Sequence, residues 1–221
     1  MKKRTIYQMI VDQSGSMSGT ENQVITGFNE QLQAMQSMQD KFPEQEIAIS
    51  LKFFNENVGN NIKNCLPVKS CAPMVGADYR PHGSTALLDA IGKSIYDIKT
   101  QFGHAIGQEG TTVVFIIITD GYENASRMYT YEDIARMIKE LEATENWNFT
   151  FMGADLDAIS ASSRLGIDRN STFSFDKSDY QRVSREVMGE AMEEYSRKKE
   201  RGEKTKGFFT MFDKKDIRTK K

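Results

Sequence analysis

This sequence is poor in the residues that soft-metal and disulfide chemistry require. Two cysteines, Cys65 and Cys71, and two histidines, His82 and His104, are all that its 221 residues contain. No second Cys or His pair accompanies them at zinc spacing. The cysteines therefore read as reduced thiols, with a single disulfide or a pair of metal ligands as the alternatives. Neither histidine has a Ser or Cys partner legible in the sequence, so a hydrolase triad has no support and both read as solvated loop residues. No stretch approaches the roughly 20 apolar residues of a membrane span. The basic start "MKKR" leads into too short an apolar run and then an acid, Asp12, which argues against a signal peptide. These absences together predict a cytoplasmic protein.

The formal charge of −2 conceals an asymmetry. Residues 1–196 carry 18 Lys and Arg against 27 Asp and Glu, while residues 197–221 carry 11 against 4. The acidic body argues against nucleic-acid binding by the domain, and the basic tail becomes the candidate for acidic partners. We expect a domain over 1–196 and a basic, flexible extension over 197–221. Within the tail, "GFFTMF" sets Phe208, Phe209 and Phe212 between basic clusters. These three are candidate partner-binding residues, for a groove or an anionic surface, against the alternative of a disordered solubilising extension.

Hydrophobic periodicity alternates between strand and helix along the body. Strands are expected at 5–11, 46–55, 111–120, 146–154 and 169–175, with an antiparallel partner at 57–66 paired to the second. A first helix is expected through Val24, Phe28, Leu32, Met35 and Met38, others at 85–102, 130–144 and 155–166, and a last one begins near residue 178. Thr130 is the expected N-cap of the third, with Asp133 three residues on. "TTVVFIIITD" is apolar on both faces, as a central strand covered on each side must be. The pattern predicts an α/β doubly wound, mostly parallel six-stranded sheet with one antiparallel edge strand and helices on both faces. There is no internal repeat, and 68–84 reads as a long loop.

Such sheets bind ligands beyond the carboxyl ends of their strands. Two strands here end in aspartate, at Asp12 and Asp120. Ser14 and Ser16 follow the first at alternate positions, and Thr85 stands at a helix start. Two carboxylates and three hydroxyls are hard oxygen donors, which suit Mg2+, with Mn2+ or Ca2+ as alternatives. Turn and cap chemistry competes for each of these residues alone; Thr85 in particular serves equally as an N-cap. Asp89 and Glu123 lie close by, either as supports or as ordinary surface acids. Gly92-Lys93-Ser94 imitates a phosphate-binding loop, but Leu87 stands where its first glycine is required.

"DQSGSM" after a strand, "GSTALLDA" at a helix start and "IITDG" after another strand resemble, in type, order and spacing, the metal-ion-dependent adhesion site of von Willebrand factor A domains. The resemblance covers about 5–196. It implies metal ligation by Ser14 and Ser16 directly, by Thr85 directly or through water, and by Asp12 and Asp120 through water. It further implies a non-enzymatic module whose metal engages an acidic residue of a partner protein. Intracellular bacterial relatives work with AAA+ ATPases or in stress-response systems, and in some relatives the last helix moves. No small-molecule substrate is expected. The rival expectation is a Mg2+-dependent phosphohydrolase, against which the absence of an aspartate at Ser14 counts.

Overall fold

The computed structural model describes residues 3–108, 110–154 and 157–210. Six strands form one sheet: β1 (Lys3–Asp12), β2 (Gln45–Phe54), β3 (Lys63–Pro67), β4 (Thr111–Thr119), β5 (Trp147–Ala154) and β6 (Thr172–Phe175). Their order across the sheet is β3-β2-β1-β4-β5-β6. All neighbours run parallel except β3, which returns antiparallel along β2 through a register shift between Ile49 and Leu51. This is the mostly parallel sheet with one antiparallel edge that the sequence pattern predicts.

The helices are α1 (Glu21–Lys41), α2 (Leu87–Phe102), α3 (Tyr131–Glu142), α4 (Ala158–Arg164), α5 (Tyr180–Arg182) and α6 (Met188–Arg201). A π-helical stretch, Val183–Val187, joins the last two into one continuous rod. Strand alternation feeds two separate cores. Tyr7, Met9 and Val11 of β1 and Val114, Ile116 and Ile118 of β4 pack with α1 and the last helix. Ile6 and Ile10, with Val113, Phe115 and Ile117, pack with α2 and α3 on the other face. Each such fully buried side chain contributes about 1.5–3 kcal/mol relative to exposure. That is why β1 and β4 carry apolar residues at both parities.

α3 begins as expected, with a capping box in which the Thr130 hydroxyl accepts from the Asp133 amide and the Asp133 carboxylate accepts from the Thr130 amide. α2 does not begin as expected. Its N-cap is Ala86, which makes no side-chain capping bond, so Thr85 lies before the helix and caps nothing. The segment 68–84 is packed rather than loose, because Val68, Cys71, Met74 and Tyr79 are all buried in the core on the α1 side. Asn29 of α1 holds it by a paired bond, donating to the Met74 carbonyl at 3.0 Å and accepting from its amide at 2.7 Å. Cys71 is a free, buried thiol.

The chain end differs from the expected extension. α6 runs to Arg201 and stops at Gly202, whose φ of +71° is the left-handed conformation glycine tolerates. Beyond it the chain turns back. Phe208 and Phe209 are buried, packed edge to face on one another and tilted against Tyr195 and Phe173 respectively. Covering Phe173 removes more apolar surface from water than a free tail would, so these two rings close the core and present no docking face. Phe212 lies outside the described residues. Among the described residues, no helix is long and apolar enough to cross a membrane.

Candidate metal centre

β1 and β4 are neighbours, yet β1 continues to β2 on one side and β4 to β5 on the other. Beyond their carboxyl ends the connections part and leave a crevice, the usual ligand position of an open α/β sheet. Register fixes what meets there. Val11 pairs with Ile118, so Asp12 ends beside Thr119, and Asp120 follows immediately. Two acids distant in sequence thus arrive at one rim.

Asp12 is fully buried. Its Oδ1 accepts from the Ser14 amide at 2.7 Å, and its Oδ2 accepts from the Thr119 hydroxyl at 2.6 Å. Burial pushes its pKa above the ordinary value; the Thr119 and Ser14 hydrogen bonds oppose that shift, and the Asp120 charge adds to it. The Ser14 and Ser16 hydroxyls are 3.0 Å apart, and Ser16 Oγ donates to Asp120 Oδ1 at 2.6 Å. The sequence motif therefore becomes a chain of contacting oxygens, Asp12 and Ser14 beneath and Ser16 at the surface.

Gly121 marks where these oxygens converge. A Cβ built on it would lie 3.1 Å from Thr85 Oγ1, 3.4 Å from Ser16 Oγ and 3.6 Å from Asp12 Oδ2. Three donors from three separate segments thus surround one small space, which glycine leaves open and any other side chain would fill. Three hard oxygens around this gap, with those of Ser14 and Asp120 in contact with Ser16, fit Mg2+ or Mn2+ with water in the remaining positions. Asp12, Ser14, Ser16, Thr85 and Asp120 are the residues that could hold such an ion.

Backbone bonds stitch the three segments together. The Gly15 amide donates to the Gly83 carbonyl at 2.9 Å, and the His82 amide donates to the Gln13 carbonyl at 2.9 Å. The Thr85 amide donates to Asn124 Oδ1 at 2.8 Å, while the Asn124 amide returns to the Thr85 carbonyl at 3.0 Å. The Tyr79 hydroxyl donates to the Asp12 carbonyl. Asp89 and Glu123 prove to be supports. Asp89 accepts from the amides of Arg127, Met128 and Tyr129. Glu123 accepts from Leu88, Ala125 and Ser126. Together they bolt the loop after β4 to the start of α2. His82 is a loop organiser, its ring between the Arg80 carbonyl and the Asn55 amide group.

Four contributors escaped the sequence reading. Thr119 had a signal, as a hydroxyl at the last position of an otherwise apolar strand. Tyr79, Asn124 and Lys177 had none, because only the folded chain brings them to the rim. Lys177 follows β6 and sets its ammonium 2.5 Å from Asp120 Oδ2.

No protein-family model matches this sequence, and no curated protein matches it. Solved structures do. A mussel byssus protein, proximal thread matrix protein 1 with a zinc-occupied MIDAS motif, is 14% identical with a TM-score of 0.52, over 86% of this chain and 46% of that one. The pilus adhesin SpaC of Lactobacillus rhamnosus GG, in an open conformation, is 12% identical with a TM-score of 0.61, over 86% of this chain and 30% of that one. The vWF domain of the type V pili tip protein Mfa5 of Porphyromonas gingivalis is 9% identical with a TM-score of 0.53, over 83% of this chain and 95% of that one. The chain spans less than half the length of the mussel and Lactobacillus proteins. At these identities the likeness defines the fold, which is that of von Willebrand factor A-type domains.

Proposed function

We propose that this protein is a non-enzymatic binding module that holds a divalent cation and uses it to engage an acidic side chain of a partner protein. The observation that carries the reading is the convergence of Thr85 Oγ1, Ser16 Oγ and Asp12 Oδ2 on the space beside Gly121. The neighbours support it, since one is described with zinc in a MIDAS motif and another is an adhesin. The hard donor set favours Mg2+, with Mn2+ or Ca2+ as substitutes.

The bound ion would supply an electrophilic position for a carboxylate. The chain's own residues do the rest. Thr119 and the Ser14 amide fix the Asp12 carboxylate, Ser16 orients Asp120, and the Asn124–Thr85 pair of bonds sets the Thr85 hydroxyl. Ser16 is exposed while Asp12 and Ser14 are buried, so the site opens on one side only, where a partner would approach. A cytoplasmic setting with an AAA+ or stress-response partner remains part of this proposal.

Calorimetric titration of the full chain with Mg2+ and Mn2+ tests the metal. Affinity capture with and without EDTA tests the partner. Loss of both in Asp12→Ala and in Ser14→Ala/Ser16→Ala is the expected result. Metal-stimulated turnover of phosphate esters, abolished by the same changes, would replace this reading with the phosphohydrolase.

A further inference from the structure

Lys177 lies outside all three sequence motifs, in the turn that connects β6 to the last helix. Its ammonium lies 2.5 Å from Asp120 Oδ2 and donates to the Ser16 carbonyl at 3.1 Å. It therefore bridges two of the motif segments. The Asp120 side chain is wholly buried, whereas the Lys177 side chain is 31% exposed. Asp120 Oδ1 accepts from the Ser16 hydroxyl, whereas Oδ2 is buried without a hydrogen bond among the described residues and is met by Lys177 as an ion pair.

We propose that Lys177 is a built-in cation that competes with the divalent metal for Asp120 and so sets the affinity of the centre. The inference rests on the metal-centre reading above. A divalent ion that draws on Asp120, directly or through water, meets a single positive charge already on the same carboxylate. Like charges sharing one carboxylate repel, and the lysine, at 31% exposure, is the one that can shift. Its partial exposure lets the ammonium move towards water as the metal takes its place on Asp120, at the cost of the ion pair and of the bond to the Ser16 carbonyl. A pair whose lysine is partly exposed and screened by water is worth about a fivefold change in a binding constant. Lys177 is a positioning residue, acting on the metal through Asp120.

The test titrates the full chain with Mn2+ by calorimetry. Lys177→Gln is expected to bind Mn2+ about fivefold more tightly than the wild type, and Lys177→Arg to stay within about twofold of it. Equal or weaker binding by Lys177→Gln overturns the proposal while leaving the metal centre intact. If the wild type and Lys177→Gln both bind no Mn2+, the metal centre itself fails and the proposal with it. A second measurement needs no variant. Amine-reactive labelling followed by mass spectrometry should show Lys177 modified about three- to fivefold faster in saturating Mg2+. Lys204, on the far side of the chain in an ion pair with Glu145, should not change. An unchanged Lys177 rate overturns the competition.

Discussion

Asp12→Asn should make the protein more stable and unable to hold the metal. Asp12 is fully buried, and the two donors it accepts from do not offset the cost of burying its charge, which is why its pKa is raised. Asparagine keeps the shape. Its carbonyl oxygen can still accept from the Ser14 amide, and the Thr119 hydroxyl can turn from donor to acceptor for the new amide group. The buried charge is removed with no hydrogen bond lost. We expect a gain of about 1–2 kcal/mol in urea unfolding at pH 7 in EDTA, the usual size when a functional site is relieved of strain. Saturating Mg2+ should reverse the order. At a free metal concentration 100 times the dissociation constant the wild type gains about 2.7 kcal/mol, and Asp12→Asn gains nothing. The sign with pH follows from the raised pKa. The stabilising contribution of protonated Asp12 is complete below its ordinary value of 3.8 and is lost as pH rises through the higher folded value. The advantage of Asp12→Asn should therefore widen as pH rises from 3.8 through the folded value. A variant less stable than the wild type in EDTA would refute the reasoning.

Three further outcomes follow from the packing. Lys199 is buried without a carboxylate partner among the described residues, donating to the Arg4 carbonyl and to the Thr5 and Thr112 hydroxyls, and burial pushes its pKa down to about 7. Between about pH 7 and the ordinary lysine value the unfolded chain binds the extra proton, so stability should rise with pH in that window; Lys199→Met should flatten a slope of up to about 1.4 kcal/mol per pH unit, and an unchanged slope excludes Lys199 as its source. Phe209→Ala should cost about 3 kcal/mol in urea unfolding, since the ring is 1% exposed against Phe173 and Phe208; a change within about 0.5 kcal/mol would show that the chain end is not part of the folded unit. Gly27→Ala would place a Cβ 2.7 Å from Ser184 Oγ and 2.9 Å from the Tyr180 ring, and a loss of about 1–3 kcal/mol is expected by thermal unfolding, with wild-type stability as the contrary result.

The sheet and most of its helices were legible because their causes are local. The double-sided run at 111–119 announces a central strand, and Thr130 with Asp133 announces a helix start. The oxygen set was legible in the same sense, since each motif is a short segment at a strand end or helix start. What was not legible depends on contacts between segments. Thr85 reads equally as a cap and as a ligand from sequence, and only the position of Ala86 at the head of α2 removes the cap. The basic tail reads as solvated because its charge dominates composition, yet two of its rings find Phe173 and Tyr195, and burial of those rings outweighs the charged company they keep. Lys177 carries no local signal at all, because its role is defined by Asp120 across the sheet.

Lysines fasten both ends of the last helical rod to the same two strands. At its end, Lys199 inserts between the starts of β1 and β4, bonding Arg4 and Thr5 of one and Thr112 of the other. Just before its start, Lys177 reaches the segments that leave those strands, at Ser16 and Asp120. The spans agree, for 22 residues of helix rise about 33 Å and the ten residues of β1 extend about 33 Å. The two fastenings differ in kind. Lys199 is buried on uncharged acceptors that a divalent ion at the other end of the sheet does not touch. Lys177 is partly exposed on a carboxylate that such an ion would share. A divalent ion at the rim would therefore meet the Lys177 fastening and leave the Lys199 contacts untouched. Gly27 packs against the π-helical stretch and Tyr180, at the half of the rod nearer the rim, so the close approach of α1 holds the rod on the same side as Lys177.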